Sequence, residues 1–145
     1  MNQKGFDPAE VARYAQNNAL GFGLLTMAYL QDRGLSIEDW ASWLGRALAG
    51  PDTNWEPGMG ARRMAEEAAL EMVSCKAQLV GVSGDDDASE VAVEWPSSTA
   101  LEECGLGRDD ITGFWTIWEP IAASVGLRFA HTTDGSGTTT LRFSR

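Results

Sequence analysis

The chain has 145 residues, with 21 acidic residues against 11 basic ones and a net charge of −10. Its length predicts one domain over residues 1–145, and its 43% hydrophobic and 22% charged fractions are ordinary for a globular protein. Lysine occurs only at Lys4 and Lys76 and no basic run exists, so the composition disfavours binding to nucleic acid or to an anionic membrane. We expect residues 1–6 to be flexible.

The cysteine and histidine content disfavours a metal site. Cys75 and Cys104 lack CxxC spacing, and His131 is the only histidine. No signal peptide precedes the first predicted helix, and no apolar run reaches the ~20 residues that span a bilayer. These features predict a cytoplasmic, bacterial-type protein with reduced thiols, no bound metal and no cofactor.

Three helices are predicted in the N-terminal half. Asp7-Pro8-Ala9-Glu10 combines an N-cap, a proline at the first helical position and a capping-box glutamate, so a helix should run to about Arg33. Two more helices are predicted from Ser36 and over about residues 59–74. Gly21 and Gly23 interrupt the first helix, which indicates either close packing of another element or a bend beside a cavity.

The remaining residues alternate between strands and helices. Strands are predicted over residues 78–82, 91–95, 127–132 and 138–143, because β-branched and apolar residues there are bounded by turn signals. A short helical piece follows the second strand, and a longer helix precedes the third. The order ααα-ββ-α-ββ predicts an α+β fold, in which helices pack on one face of a four-stranded antiparallel sheet.

Residues 113–120 read GFWTIWEP and carry a strong aromatic signal. On one α-helix running from about residue 109 to residue 125, a single face would hold these apolar side chains: Ile111, Phe114, Trp115, Trp118, Ile121, Ala122 and Val125. The stripe predicts packing against the sheet, or alternatively an aromatic cavity wall. Pro120 inside such a helix would cost ~3 kcal/mol, so we expect a bend there beside Glu119.

The chemistry-bearing residues are few. His131 lies in a predicted strand and is the side chain best suited to proton transfer near neutral pH. Glu119 stands at the edge of the apolar stripe, facing either solvent or a cavity. Cys104 is a nucleophile candidate if a base such as His131 lies nearby. Each of these residues also has a purely structural interpretation, as a strand, surface or buried residue.

Three segments give the chain a resemblance to known families. They are RGLSIEDWASWL, MAEEAALEMVSC and the closing GLRFAHTTDGSGTTTLRFS. In pattern and order they resemble the L-2-amino-thiazoline-4-carboxylic acid hydrolase-like family, and the layout is also similar to that of 4-vinyl-reductase-like small-molecule-binding domains. That family tends to carry a cysteine in its last strand, where this chain has Thr139. The resemblance implies a small-molecule site between helices and sheet.

Three functions follow from these observations. The first is a metal-independent hydrolase, or a proton-transfer lyase or isomerase, acting on a small, partly apolar or heterocyclic substrate. His131, Glu119 and Cys104 would carry its chemistry, and five aromatic side chains would wall its pocket: Trp55, Trp95, Trp115, Trp118 and Phe129. The second is a non-catalytic, small-molecule-binding sensory domain that uses the same cavity. The third is an interaction module that docks a partner protein, or a second copy in a homodimer.

Overall fold

Three helices, a β-hairpin, three further helical segments and a second β-hairpin follow one another along the described part of the chain. The computed structural model describes residues 5–50 and 54–145. The helices are α1 (Pro8–Asp32), α2 (Ile37–Leu48), α3 (Ala61–Ser74), α4 (Ser98–Glu103) and α5 (Trp118–Ser124), with a 3-10 helix over Asp109–Ile117. The strands are β1 (Gln78–Gly84), β2 (Ala88–Glu94), β3 (Arg128–Thr133) and β4 (Thr138–Ser144). Residues 1–4, within the segment expected to be flexible, and 51–53 lie outside the described residues.

Capping side chains set the starts of the first two helices, as predicted. The Asp7 carboxylate accepts a hydrogen bond from the Ala9 amide at 3.0 Å, and the Ser36 hydroxyl accepts one from the Asp39 amide at 3.0 Å. Both bonds satisfy amides that have no partner within the helix. Gly34 follows α1 at a φ of +67°, a conformation that glycine adopts at little cost.

The four strands form one antiparallel sheet in the order β1-β2-β4-β3. The predicted α+β fold is therefore confirmed. In register, His131 of β3 lies opposite Leu141 of β4, and Leu141 lies opposite Val91 of β2. Side chains alternate between the two faces of a strand, so these three residues share one face. That face carries the core, because Val91 and Leu141 are fully buried.

The helices form two layers over this face. The inner layer consists of α3, which packs on β1, β2 and β4, and α5, which packs on β3. The outer layer is α2, which packs on the 3-10 helix and on α5. Helix α5 therefore lies between α2 and the sheet, and GFWTIWEP is the stretch that joins the 3-10 helix to α5.

The prediction of one α-helix from residue 109 to residue 125 was wrong. The 3-10 helix gives way to α5 at Trp118, which makes Pro120 the third residue of the α-helix. An amide at that position has no partner inside a helix, so a proline there removes no hydrogen bond. The expected bend cost therefore does not arise, because the change of helix type falls just before the proline.

The apolar stripe itself is retained, with Trp115 and Trp118 both buried. Close packing within one chain, one of the two explanations offered for Gly21 and Gly23, was wrong. Within the described part of the chain, a Cβ at either position would meet no atom within 4 Å.

Among residues 5–50 and 54–145, no helix is long and apolar enough to cross a membrane.

Candidate ligand-binding site

An apolar cavity of about 550 Å³ lies between α1, α2, α3 and the segment where the 3-10 helix meets α5. Six aromatic side chains supply much of its wall: Phe22, Trp40, Trp55, Trp95, Phe114 and Trp118. Its size falls within the range of small-molecule sites, and its lining has the predominantly aromatic character that such sites have. It is termed the tryptophan cavity below.

Ring-to-ring contacts hold this wall together. Trp95 and Phe114 lie 4.8 Å apart between centroids, and Trp55 meets Trp118 edge-on at 5.7 Å. The Trp95 indole also donates a hydrogen bond to the Cys75 carbonyl at 2.8 Å, which ties the wall to the end of α3. Because packed and hydrogen-bonded rings have few alternative rotamers, this wall is formed before any ligand arrives.

Trp118, one of the residues that line this cavity, carries an unpaired indole donor that its neighbours cover. Its side chain is only 4% exposed, and its indole Nε1 is buried without a hydrogen-bond partner among residues 5–50 and 54–145. Leaving a buried N–H without an acceptor costs about 1–3 kcal/mol. Buried indole N–H groups normally find a partner, so this one indicates where an acceptor would be stabilised.

Few polar residues line the tryptophan cavity: Thr26, Asn54, Glu71 and Cys75. The Thr26 hydroxyl also lines it, but donates to the Phe22 carbonyl at 2.6 Å. Cys75 lines it as a half-buried free thiol. Burial raises the pKa of Cys75, the nearby Glu71 charge raises it further, and a hydrogen bond with Ser74 opposes both effects. The thiol is therefore protonated near neutral pH, so it is a polarisable wall and not a nucleophile.

A second, more polar cavity of about 500 Å³ lies on the other side of Trp95. It is bounded by the 3-10 helix, β3 and the β3–β4 turn, and His131, Arg108 and Trp115 are among its lining residues. The Arg108 guanidinium donates to the carbonyls of Trp95 at 3.3 Å and of Pro96 at 2.9 Å. Those two bonds fix the guanidinium at the edge of what we term the His131 cavity.

His131 is half-buried in β3, with its ring stacked on Phe129 at 5.7 Å. Burial lowers the pKa of His131 below its ordinary value of 6.5, while the charges of Glu119 and Glu38 act in the opposite direction. The imidazole is therefore neutral at pH 7, as a general base must be. No hydrogen bond joins it to Glu119 in the described structure, and Glu119 itself is exposed.

The structure divides the predicted site residues between the two cavities. Trp55 and Trp118 line the tryptophan cavity, Trp115 and His131 line the other, and Trp95 separates them. Three predicted site residues line neither: Glu119, Phe129 and Cys104. Phe129 packs on His131 and on Phe143, and Cys104 caps the C-terminus of α4. The catalytic grouping of His131, Glu119 and Cys104 therefore stays a prediction.

Some lining residues were not predicted as site residues. Phe114 was predicted only as a member of an apolar helix face and Trp40 was not predicted as a site residue, and their rings lie 6.4 Å apart in the cavity wall. An apolar helix face in a sequence does not show whether its side chains pack against other atoms or line a cavity. No local pattern predicted a role for Arg108, because its partners Trp95 and Pro96 lie 13 and 12 residues away in sequence.

No protein-family model and no curated protein matches this chain. The resemblance to hydrolase-like proteins therefore remains a prediction. Across residues 5–50 and 54–145, no three His, Cys, Asp or Glu side chains group closely enough to hold a metal ion. The arguments that follow rest on the two cavities alone.

Proposed function

We propose that this protein binds a small, largely apolar molecule in the tryptophan cavity, through one hydrogen-bond acceptor that pairs with Trp118. The unpaired, buried Nε1 of Trp118 is the observation that carries the proposal. A ligand acceptor that displaces the atoms covering this N–H would satisfy it, and the aromatic wall would remove the rest of the molecule from water. The proposal corresponds to the binding or sensory function and requires no catalytic group.

A matched pair of probes tests the role of the acceptor. Acetophenone and ethylbenzene have nearly the same shape, but only acetophenone has a carbonyl oxygen. We expect both to bind, with acetophenone favoured by about 3- to 10-fold, the effect of one neutral hydrogen bond. The measurement is a titration of the indole N–H signals by NMR, in which the Trp118 resonance should move most with acetophenone.

Trp118→Phe removes the donor and keeps an aromatic ring. In this variant the preference for acetophenone should disappear while ethylbenzene still binds. His131→Gln lies in the other cavity and is the matched control, with an unchanged preference. The proposal fails if neither probe binds the wild-type protein, or if folded Trp118→Phe discriminates between the probes as the wild type does.

A second candidate is proton-transfer catalysis at the His131 cavity. It is favoured by a neutral imidazole that shares a polar cavity with the Arg108 guanidinium. Turnover can be screened with cyclic amidines and esters, including L-2-amino-thiazoline-4-carboxylic acid. Any activity found should fall at least ~100-fold in His131→Gln, the usual scale for a general base. An activity that survives in this variant does not use His131.

A further inference from the structure

Helix α1 has an apolar face that no described part of the chain covers. Its core face is set by Leu24 and Met27, the two buried residues of the helix. At about 100° per residue, five large apolar side chains fall within an arc of about 80°, centred roughly 150° from the core face. They are Val11, Tyr14, Phe22, Leu25 and Tyr29, and their exposed fractions run from 43% to 71%. This set is termed the α1 stripe.

The area of the α1 stripe is that of an interface. A fully exposed aromatic side chain presents about 150–250 Å², so the stripe exposes roughly 600 Å² per copy. Monomeric proteins rarely leave more than a few hundred Å² of contiguous apolar surface in water. Two copies paired through this stripe would bury about 1,200 Å², which is the lower limit for specific interfaces.

We propose that the α1 stripe pairs with the α1 stripe of a second copy of this chain, antiparallel about a two-fold axis near Leu20. Four of the five stripe residues are symmetric or nearly symmetric about that residue, and Asn18 stands at the position that mirrors Phe22. Val11 and Tyr29 lie equally far from it along the chain, and Tyr14 and Leu25 nearly so. An antiparallel pair therefore places Val11 of each copy against Tyr29 of the other, so that one self-complementary surface serves both.

Charges at the helix ends support the antiparallel order. Asp7 and Arg33 are also equally far from Leu20, so an antiparallel pair brings opposite charges together. A parallel pair would oppose like charges at both ends and align the two helix dipoles. The Arg33 guanidinium already lies 5.1 Å from the centroid of the Tyr29 ring, at the end of the stripe.

Gly21 lies beside the proposed axis. A Cβ there would meet nothing within 4 Å in the described chain, so contacts within one copy do not require a glycine. A glycine inside a helix costs about 1 kcal/mol relative to alanine. Gly21 lies about 60° around the helix from the middle of the α1 stripe, where the absence of a side chain leaves space beside a second helix, which gives this glycine a role that the single chain lacks.

Sedimentation of the full chain tests the pairing. Across about 1 to 200 µM, a range suited to a micromolar interface, the wild type should shift to twice the 15.6 kDa chain mass. Tyr14→Asp combined with Leu25→Asp should stay monomeric at least ~10-fold higher in concentration, because acidic groups would face each other. Phe22 belongs to both the α1 stripe and the tryptophan cavity, but neither substituted residue lines that cavity, so failure of the pairing and failure of ligand binding are distinguishable.

Leu70→Asp is the matched control, since Leu70 is 66% exposed on α3 and should leave dimerisation unchanged. Thermal unfolding of each variant checks that it folds. A wild type that stays monomeric throughout overturns the proposal, as does a folded double variant that dimerises like the wild type. Co-sedimentation of a monomeric wild type with phosphatidylcholine vesicles would overturn it by assigning the stripe to a membrane surface.

A distance measurement tests the antiparallel order. Spin labels on Glu10→Cys, with Cys75 and Cys104 replaced by alanine and dimerisation checked first, should lie roughly 30 Å apart along the helix axis. A parallel pair would bring the two labels to about one helix diameter, roughly 10 Å. The short distance would overturn the antiparallel arrangement, and the long one supports it.

Discussion

Gly45 of α2 lies directly against Pro120 of α5: a Cβ added to Gly45 would stand 2.6 Å from the Pro120 Cγ and would also collide with the Ile117 carbonyl. Gly113 of the 3-10 helix lies equally close to α2, because an added Cβ there would lie 3.0 Å from the Glu38 amide nitrogen. One glycine from each element thus lets α2 approach at backbone distance. The close contact falls where the 3-10 helix becomes α5.

Gly45→Ala should therefore destabilise the protein. The extra methyl group has no space without movement of α2 or of Pro120, and overpacking of this kind costs about 1–3 kcal/mol. In a protein of this size, each kcal/mol should lower the melting temperature by about 2–4 °C. Urea unfolding followed by circular dichroism measures the change in free energy of unfolding.

Gly23→Ala is the control for the glycine itself. A Cβ at Gly23 meets nothing within 4 Å among the described residues, so the better helix propensity of alanine should stabilise α1 by up to about 1 kcal/mol. An unfolding midpoint for Gly45→Ala equal to that of the wild type would show that α2 can move away at no cost. The close-packing account would then be wrong.

Local signals predicted most of the fold. Helix starts at Asp7 and Ser36 depend on side-chain caps within three residues, and the strands depend on alternation between turns, so a single sequence contains what is needed. The change from 3-10 to α geometry before Pro120 was missed, because apolar residues three positions apart lie on one face in both helix types. Pro120 was predicted to lie in the interior of one long helix, whereas it is the third residue of α5.

The site was predicted less well than the fold. The sequence indicated which tryptophans face inward, but not that Trp95 separates two cavities. That division depends on how α1 and α2 lie over the 3-10 helix, which no local pattern encodes. Phe22 shows the difficulty, since it lines the tryptophan cavity from a helix position that is also 71% exposed.

The pKa of His131 should respond to Glu119 without any direct bond between them. Burial lowers this pKa and the Glu119 charge raises it, so Glu119→Gln should lower it further. Glu38→Gln should act in the same direction. NMR titration of the imidazole Cε1–H gives each value, and Glu103→Gln, on exposed α4, is the control that should leave the midpoint in place. An unchanged midpoint in Glu119→Gln would remove Glu119 from the His131 environment.

The same shift sets the sign of a pH effect on stability. Because the pKa of folded His131 lies below its unfolded value of about 6.5, the unfolded chain binds more protons between the two. The contribution of neutral His131 to stability is therefore fully present above about pH 6.5 and is lost as the pH falls through the folded pKa. His131→Gln should flatten this part of the stability profile, measured by urea unfolding at several pH values.

Cys75 should react slowly with thiol reagents, and a cavity ligand should slow it further. Only the thiolate attacks a disulfide reagent, and burial, with a smaller contribution from the Glu71 charge, raises the pKa of Cys75 and so depletes the thiolate. In Cys104→Ala, where Cys75 is the only thiol, labelling by a nitrobenzoate disulfide at pH 8 should run at least ~10-fold slower than in urea.

Acetophenone should slow the labelling of Cys75 further, because Cys75 lines the tryptophan cavity with Trp118. Cys75→Ala, which leaves Cys104 outside both cavities, supplies the control whose rate acetophenone should not change. Equal Cys75 rates with and without a probe that is shown to bind would place the probe elsewhere.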